Sequence, residues 1–208
     1  MSLDKYETII LDCDGVIFDS NNLKLDAFRG ALNNYNEDVV NGFIEYFKNN
    51  FGTSRYHLAK VFIEDFLKQE FDEKLYQKIL DSYSDKCVLL YEKANMTKNF
   101  LEFIEKYKDK KLFVASGSAE EELKMVFKNR DLEKYFIEIF GSPTKKTKIV
   151  KSIVMEYKNA VMIGDAKSDI NAAKENSIDF IFMSEYSTSE EIKKDETLNS
   201  INNLGDLI

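Results

Sequence analysis

Apolar positions along this chain follow two rhythms. Ile9-Ile10-Leu11 is a short unbroken apolar run, which predicts a strand buried on both faces. From residue 21 to 92 the apolar positions recur every three to four residues instead. Ala27, Phe28, Ala31, Leu32 and Tyr35 make one stripe, and Val39, Val40, Phe43, Ile44 and Phe47 a second. Leu58, Phe62 and Phe66 make a third, and Leu75, Ile79, Tyr83, Cys87 and Leu90 a fourth. Each predicts an amphipathic helix, and four such helices suffice for a small bundle. Beyond residue 92 the two rhythms alternate. Phe100, Leu101, Ile104 and Tyr107 predict a helix, and Leu112–Ala115 a strand. A helix opened by a capping box at Ser118-Ala119-Glu120-Glu121 follows, then a strand within Ile137–Phe140. Thr144 is expected to cap a helix carrying Ile149, Val150, Ile153 and Val154. Val161–Ile163 reads as a strand, Ala166–Asn176 as a helix and Phe180–Met183 as the last strand. The tail from Ser187 is polar, with Leu204, Leu207 and Ile208 expected to dock on the core.

Strands alternating with helices imply an α/β fold with a parallel sheet of five strands and helices on both faces. The first strand belongs to that sheet, so the helical stretch is an insertion after it. The expected division is a core of residues 1–20 and 93–208 and a helical unit of residues 21–92. With 208 residues, 44% hydrophobic and 32% charged, the chain fits a globular protein with one large core or a core and a lobe. A formal net charge of −8 argues against nucleic acid and anionic membrane as partners. The two cysteines, Cys13 and Cys87, form no disulfide framework, and no apolar run approaches about 18 residues. No signal peptide is read at the N-terminus, so a cytoplasmic protein is expected. Nothing in the sequence defines an oligomeric state.

The chemistry concentrates at strand ends, where open α/β sheets bind ligands. The first strand runs into Asp12-Cys13-Asp14-Gly15-Val16, followed by Asp19-Ser20. Acids at a buried strand end hold a cation or do chemistry, because unpaired buried charge is costly. Ser116-Gly117 follows the second strand, offering a hydroxyl and backbone N–H groups to an anion. Gly141-Ser142-Pro143-Thr144 leads to three lysines, Lys145, Lys146 and Lys148. Gly164-Asp165 ends a further strand, with Asp169 one helical turn on. Carboxylate oxygens are the ligands Mg²⁺ prefers.

In these four motifs, in this order and each after a strand, the chain resembles the haloacid dehalogenase-like hydrolases, mostly Mg²⁺-dependent phosphatases and phosphotransferases. The resemblance implies a Rossmann-like core with a central first strand and a helical cap inserted just after it. It also implies that Asp12 is a nucleophile forming an aspartyl-phosphate and that Asp14 is the general acid and base. Ser116 and Gly117 would bind the phosphate, and Lys146, three residues after the proline, would neutralise it, with Lys145 and Lys148 as alternatives. Mg²⁺ would be held by Asp12, Asp14 (through its carbonyl), Asp165 and Asp169. Gly52-Thr53-Ser54-Arg55 is similar to a turn of capped relatives, among them β-phosphoglucomutases, in which the arginine holds a second anionic group; Arg55 is accordingly a candidate for the leaving group. The expected function is a phosphatase of a small phosphorylated metabolite, with a sugar-phosphate mutase as alternative. A catalytically silent binding protein would have lost an acid, yet all four aspartates are present. Cys13 lacks the arginine six residues on that a cysteine phosphatase needs. His57 is the only histidine, which argues against zinc, and it reads as a surface residue.

Overall fold

A computed structural model describes residues 2–208. The chain begins with β1 (Thr8–Leu11) and then four helices, α1 (Asn21–Ala31), α2 (Glu37–Asn49), α3 (Arg55–Val61) and α4 (Glu73–Lys93). It continues through α5 (Phe100–Tyr107), β2 (Lys111–Ala119), α6 (Glu120–Asn129), β3 (Glu138–Ser142) and α7 (Lys146–Glu156). It ends with β4 (Ala160–Gly164), α8 (Lys167–Glu175), β5 (Asp179–Met183) and β6 (Ser200–Ile201). All strand pairs are parallel, in the order β3-β2-β1-β4-β5-β6. This is the expected α/β sheet with β1 inside it, corrected from five strands to six. The sixth, Ser200–Ile201, pairs with Phe182 and Met183. Two residues with one apolar side chain carry no periodicity to read.

Side chains of the two sheet faces make two cores. Ile10, Phe113 and Met162 pack under α7 and α8 with Ile149, Val150, Ile153 and Ala172. Ile9, Leu11, Val114 and Ile163 face the other way into a larger cluster. That cluster includes Phe103, Ile104, Leu123 and Phe127 of α5 and α6, and it runs without a break into the inserted helices. There Phe28 stacks on Tyr83, with ring centroids 4.1 Å apart, and meets Phe43 and Phe47 edge-on. The insert starts are fixed locally. Asn36 accepts from the backbone N–H groups of Asp38 and Val39, Ser54 from His57 and Asp72 from Leu75. The third stripe is one helix that loosens into a π turn at Phe62–Phe66.

The chain enters and leaves the insert side by side. Phe18 and Met96 form an antiparallel bridge, and the Asp19 N–H donates to the Asn95 carbonyl at 2.9 Å. Arg130, at the end of α6, donates to the carbonyls of Tyr91 and Ala94, closing the C-terminus of α4, and lies over the Phe18 ring.

Two expected helix caps are corrected. β2 runs on to Ala119, so Ser118 is a strand residue whose hydroxyl turns into the cluster of acids described below. Lys145, not Thr144, precedes α7, with no side-chain cap. On α5, Leu101 is half exposed and Phe103 takes its place in the core. Leu204 and Leu207 dock as expected, whereas Ile208 is exposed. Among the described residues, no helix is long and apolar enough to cross a membrane.

Candidate active site

The C-terminal ends of β1, β2 and β4 bring the sequence motifs together. Asp12, Asp14, Asp165, Asp169 and Lys146 are all buried, whereas Lys145 and Lys148 are exposed. The Lys146 ammonium lies 2.9 Å from Asp12 Oδ1 and also pairs with Asp169 Oδ1. Asp12 Oδ1 additionally accepts from the Cys13 N–H at 2.7 Å. Asp12 Oδ2 accepts no hydrogen bond among the described residues. Asp169 Oδ2 accepts from the N–H groups of Asp165 and Ala166, tying the start of α8 to the end of β4.

Glycines make this crowding possible at two points. Gly15 has φ +80°, and a Cβ there would lie 2.4 Å from Asp165 Oδ2. A Cβ on Gly117 would lie 2.4 Å from the carbonyl oxygen of Gly52, where the insert meets the sheet edge.

Asp14 sits in a separate polar nest. Its Oδ1 accepts from Ser20 Oγ at 2.6 Å and from the Tyr91 hydroxyl at 2.7 Å. Its Oδ2 accepts from Lys24 Nζ at 2.7 Å and from Ser118 Oγ at 2.9 Å. Burial opposes ionisation of Asp14, but the Lys24 charge and these hydrogen bonds outweigh it and hold the carboxyl below its usual range. Asp12 goes the other way. Burial first, then the Asp169 charge, push it up to about 7, against the pull of Lys146. Burial and the charges of Asp12 and Asp169 also raise Asp165 well above its ordinary value. Asp12 and Asp14 are thus driven in opposite directions by their surroundings.

Asp12, Asp165 and Asp169 each offer an oxygen, all within 4.8 Å of one another. One lysine serves these three buried carboxyls, so the cluster is short of positive charge. Oxygen donors with unmet negative charge fit Mg²⁺. A stability prediction follows. The Asp12 carboxyl is near 7 in the fold against 3.8 ordinarily, so its contribution is fully present below the unfolded value and lost as pH rises through about 7. The melting temperature in chelator should fall between about pH 5 and pH 8, and Mg²⁺ should restore it at the upper end. Thermal denaturation across that range checks this, and a flat profile would refute it.

Other candidates fall as follows. Gly117 lines the cavity beside Asp12 and Asp14, but Ser116 Oγ accepts from the Ser118 N–H two residues on in β2. Arg55 lines the same cavity, with its two terminal nitrogens on Glu122. His57 is exposed, and Cys13 and Cys87 are buried thiols. Lys24, Ser20, Tyr91 and Ser118 all bond Asp14, and the sequence singled out none of them as a candidate functional side chain. Lys24 and Ser20 are one turn apart, and Lys24 continues the stripe of Ala27, Phe28 and Ala31; a charge on an apolar face was the available signal.

Carboxylates and a lysine gathered at the ligand-binding edge of a parallel sheet define an acid-centred α/β enzyme. Residues 9–183 match the family model described as haloacid dehalogenase-like hydrolase, and the chain belongs to that family. No curated protein matches the sequence. Among solved structures, the fold is similar to a predicted phosphatase from Clostridium acetobutylicum (22% identity, TM-score 0.75, covering 97% of this chain and 95% of that one). It is also similar to a predicted phosphoglycolate phosphatase from Haemophilus somnus (13%, 0.78, 98% and 97%). A third is β-phosphoglucomutase from Clostridium difficile (19%, 0.76, 98% and 93%).

Proposed function

We propose that this protein is a cytoplasmic Mg²⁺-dependent phosphatase of a small phosphorylated metabolite, working through an aspartyl-phosphate on Asp12. The observation that supports it most is the pairing of two unlike carboxyls two residues apart. Asp12 lies beside a cation-seeking cluster and Lys146, and Asp14 lies in its own nest of donors.

In the first half-reaction a carboxylate oxygen of Asp12 attacks phosphorus. The bond from phosphorus to the ester oxygen breaks, and Asp14, as the acid, gives that oxygen its proton. In the second half Asp14, as carboxylate, takes a proton from water. The water oxygen attacks phosphorus, the bond to Asp12 breaks, and inorganic phosphate leaves. Lys24 and the surrounding donors, which hold the Asp14 carboxyl below its usual range, favour the carboxylate form used in this second half. Lys146 balances negative charge on Asp12 and the phosphoryl oxygens, and Gly117 borders the cavity that would take the phosphate. Asp12, the Asp14 carbonyl, Asp165 and Asp169 would hold Mg²⁺, which when bound supplies charge neutralisation to the phosphoryl group.

Residues 21–92 act as a cap on the core in this reading. The cavity between them is only about 20 Å³, room for little more than a water, so the cap must swing away to admit an ester. Phosphate release from a panel of small esters, with Mg²⁺ against chelator, tests the function. No release from any ester by folded protein would overturn it, and an isomerised sugar phosphate as product would establish a mutase instead.

Lys24→Met should lower kcat on the best ester about tenfold to a hundredfold, because Asp14 loses its ion pair. The pH–rate profile should move to higher pH, since Lys24 is what holds the Asp14 carboxyl down. An unmoved profile would reduce Lys24 to a packing role.

A further inference from the structure

The cavity beside Asp12 and Asp14 is lined by two cations among the described residues, Lys24 and Arg55. Both are already matched by acids of the chain. Lys24 pairs with Asp14 at 2.7 Å. Arg55 Nη1 and Nη2 donate to Glu122 Oε1 and Oε2, each at 2.6 Å, in a fork-to-fork pair. The guanidinium lies 4.8 Å from the Tyr83 ring centroid, and Ser84 Oγ donates to the same Glu122 carboxylate. The Arg55 side chain is 5% exposed and that of Glu122 15%. With the cap closed, a carboxylate or second phosphate could hold Arg55 only by leaving the half-buried Glu122 without its ion pair next to another anion. Breaking such a pair is strongly unfavourable.

Two residues of the cavity lining each keep one polar atom without a partner. Arg55 Nε is a buried donor with no acceptor, and Asn21 Oδ1 a buried acceptor with no donor. The Asn21 amide cannot be turned round to change this. Its nitrogen donates to Asp165 Oδ2 at 2.6 Å and to the Tyr186 carbonyl at 3.0 Å, and a backbone carbonyl can only accept. Among common uncharged groups, a hydroxyl both accepts and donates. Phe47, Phe51 and Leu58 supply uncharged lining for a carbon skeleton.

We propose that the substrate is a monophosphate ester whose leaving group is uncharged and hydroxylated, and that Glu122 sets this preference by occupying Arg55. The proposal rests on the phosphatase reading for the ester and adds the class of its leaving group. Glu122 is a specificity residue acting through Arg55, which rejects a second anion by making its arrival costly.

The test uses two three-carbon esters, sn-glycerol 3-phosphate and 3-phosphoglycerate, which differ in a carboxylate on the leaving group. Their Kd values are measured by titration calorimetry on Asp12→Asn protein with Mg²⁺, so that no turnover is needed. Glycerol phosphate should bind at least about tenfold more tightly. Glu122→Gln in the same background keeps a side chain of the same shape but frees the Arg55 charge. It should tighten phosphoglycerate about tenfold and leave glycerol phosphate within about twofold. Equal binding of the two esters, preference for phosphoglycerate, or binding of neither overturns the proposal, and none of these needs Glu122→Gln to fold. Phosphate release by the unmodified protein reports separately on the phosphatase reading. Selective binding without release would end that reading and leave the preference standing.

Discussion

Asp12→Asn should abolish phosphate release, lowering kcat by on the order of ten-thousand-fold on any ester the protein hydrolyses. The amide is nearly the size of the carboxylate but has no charged oxygen to attack phosphorus. The substitution should not cost the fold. Asp12 stands in a cluster with more carboxyls than cations, its own carboxyl pushed up to about 7 by burial and by Asp169. Removing that charge relieves repulsion, so the variant should melt in chelator at or above the temperature of the parent protein. Loss of rate with retained melting temperature is the expected pair of results, read by phosphate release and thermal denaturation. A rate within about tenfold of the parent would place the nucleophile elsewhere.

Lys146→Met should have the largest effect on stability. The ammonium is buried and pairs with Asp12 at 2.9 Å and with Asp169. Taking away one side of a buried pair leaves the other uncompensated, which costs about 3–5 kcal/mol. For a chain of this size that corresponds to a fall of roughly 10 °C in melting temperature. The loss has a pH signature that a mere packing defect lacks. Lys146 draws the Asp12 carboxyl down, so without it Asp12 takes up its proton at higher pH still. A carboxyl raised in the fold favours folding below its unfolded value and loses that advantage as pH rises. The deficit in chelator should therefore be large near pH 8 and shrink toward pH 5. A deficit independent of pH would mean that the aliphatic stem, and not the charge, is what the core misses.

How far these residues could be read from the sequence depends on what each one does to the pattern. Asp12, Asp165 and Lys146 follow strands or a marked turn, so the end of an apolar run pointed to them. The helical insert was legible because four amphipathic stripes follow one another without a strand. Lys24 and Tyr91 were not, because each lies inside a stripe whose other members are core residues, and what they touch is fixed by how α1 and α4 fold back over β1. Ser118 reads as a helix cap because Ser-Ala-Glu-Glu has that local form; the structure carries β2 four residues beyond Ala115, and the Ser118 hydroxyl donates to Asp14. β6 escaped notice for a different reason, since two edge residues add hydrogen bonds and almost no apolar surface. The Arg55–Glu122 pair joins residues 67 positions apart, and no local pattern announces such a partner.

The side-by-side crossing at Phe18 and Met96 has a mechanical consequence. A lobe hung on one covalent tether can swivel about it in any direction. Two tethers bonded to each other, with Arg130 clamping the second to the carbonyls of Tyr91 and Ala94, resist twisting and sideways tilt. If residues 21–92 act as the proposed cap, the motion this leaves softest is a single swing about the line joining them, like a door on two pins. Such a swing would return Tyr91, which sits on one pin, to the same place over Asp14. Closing the cap and placing the proposed acid would then be one movement.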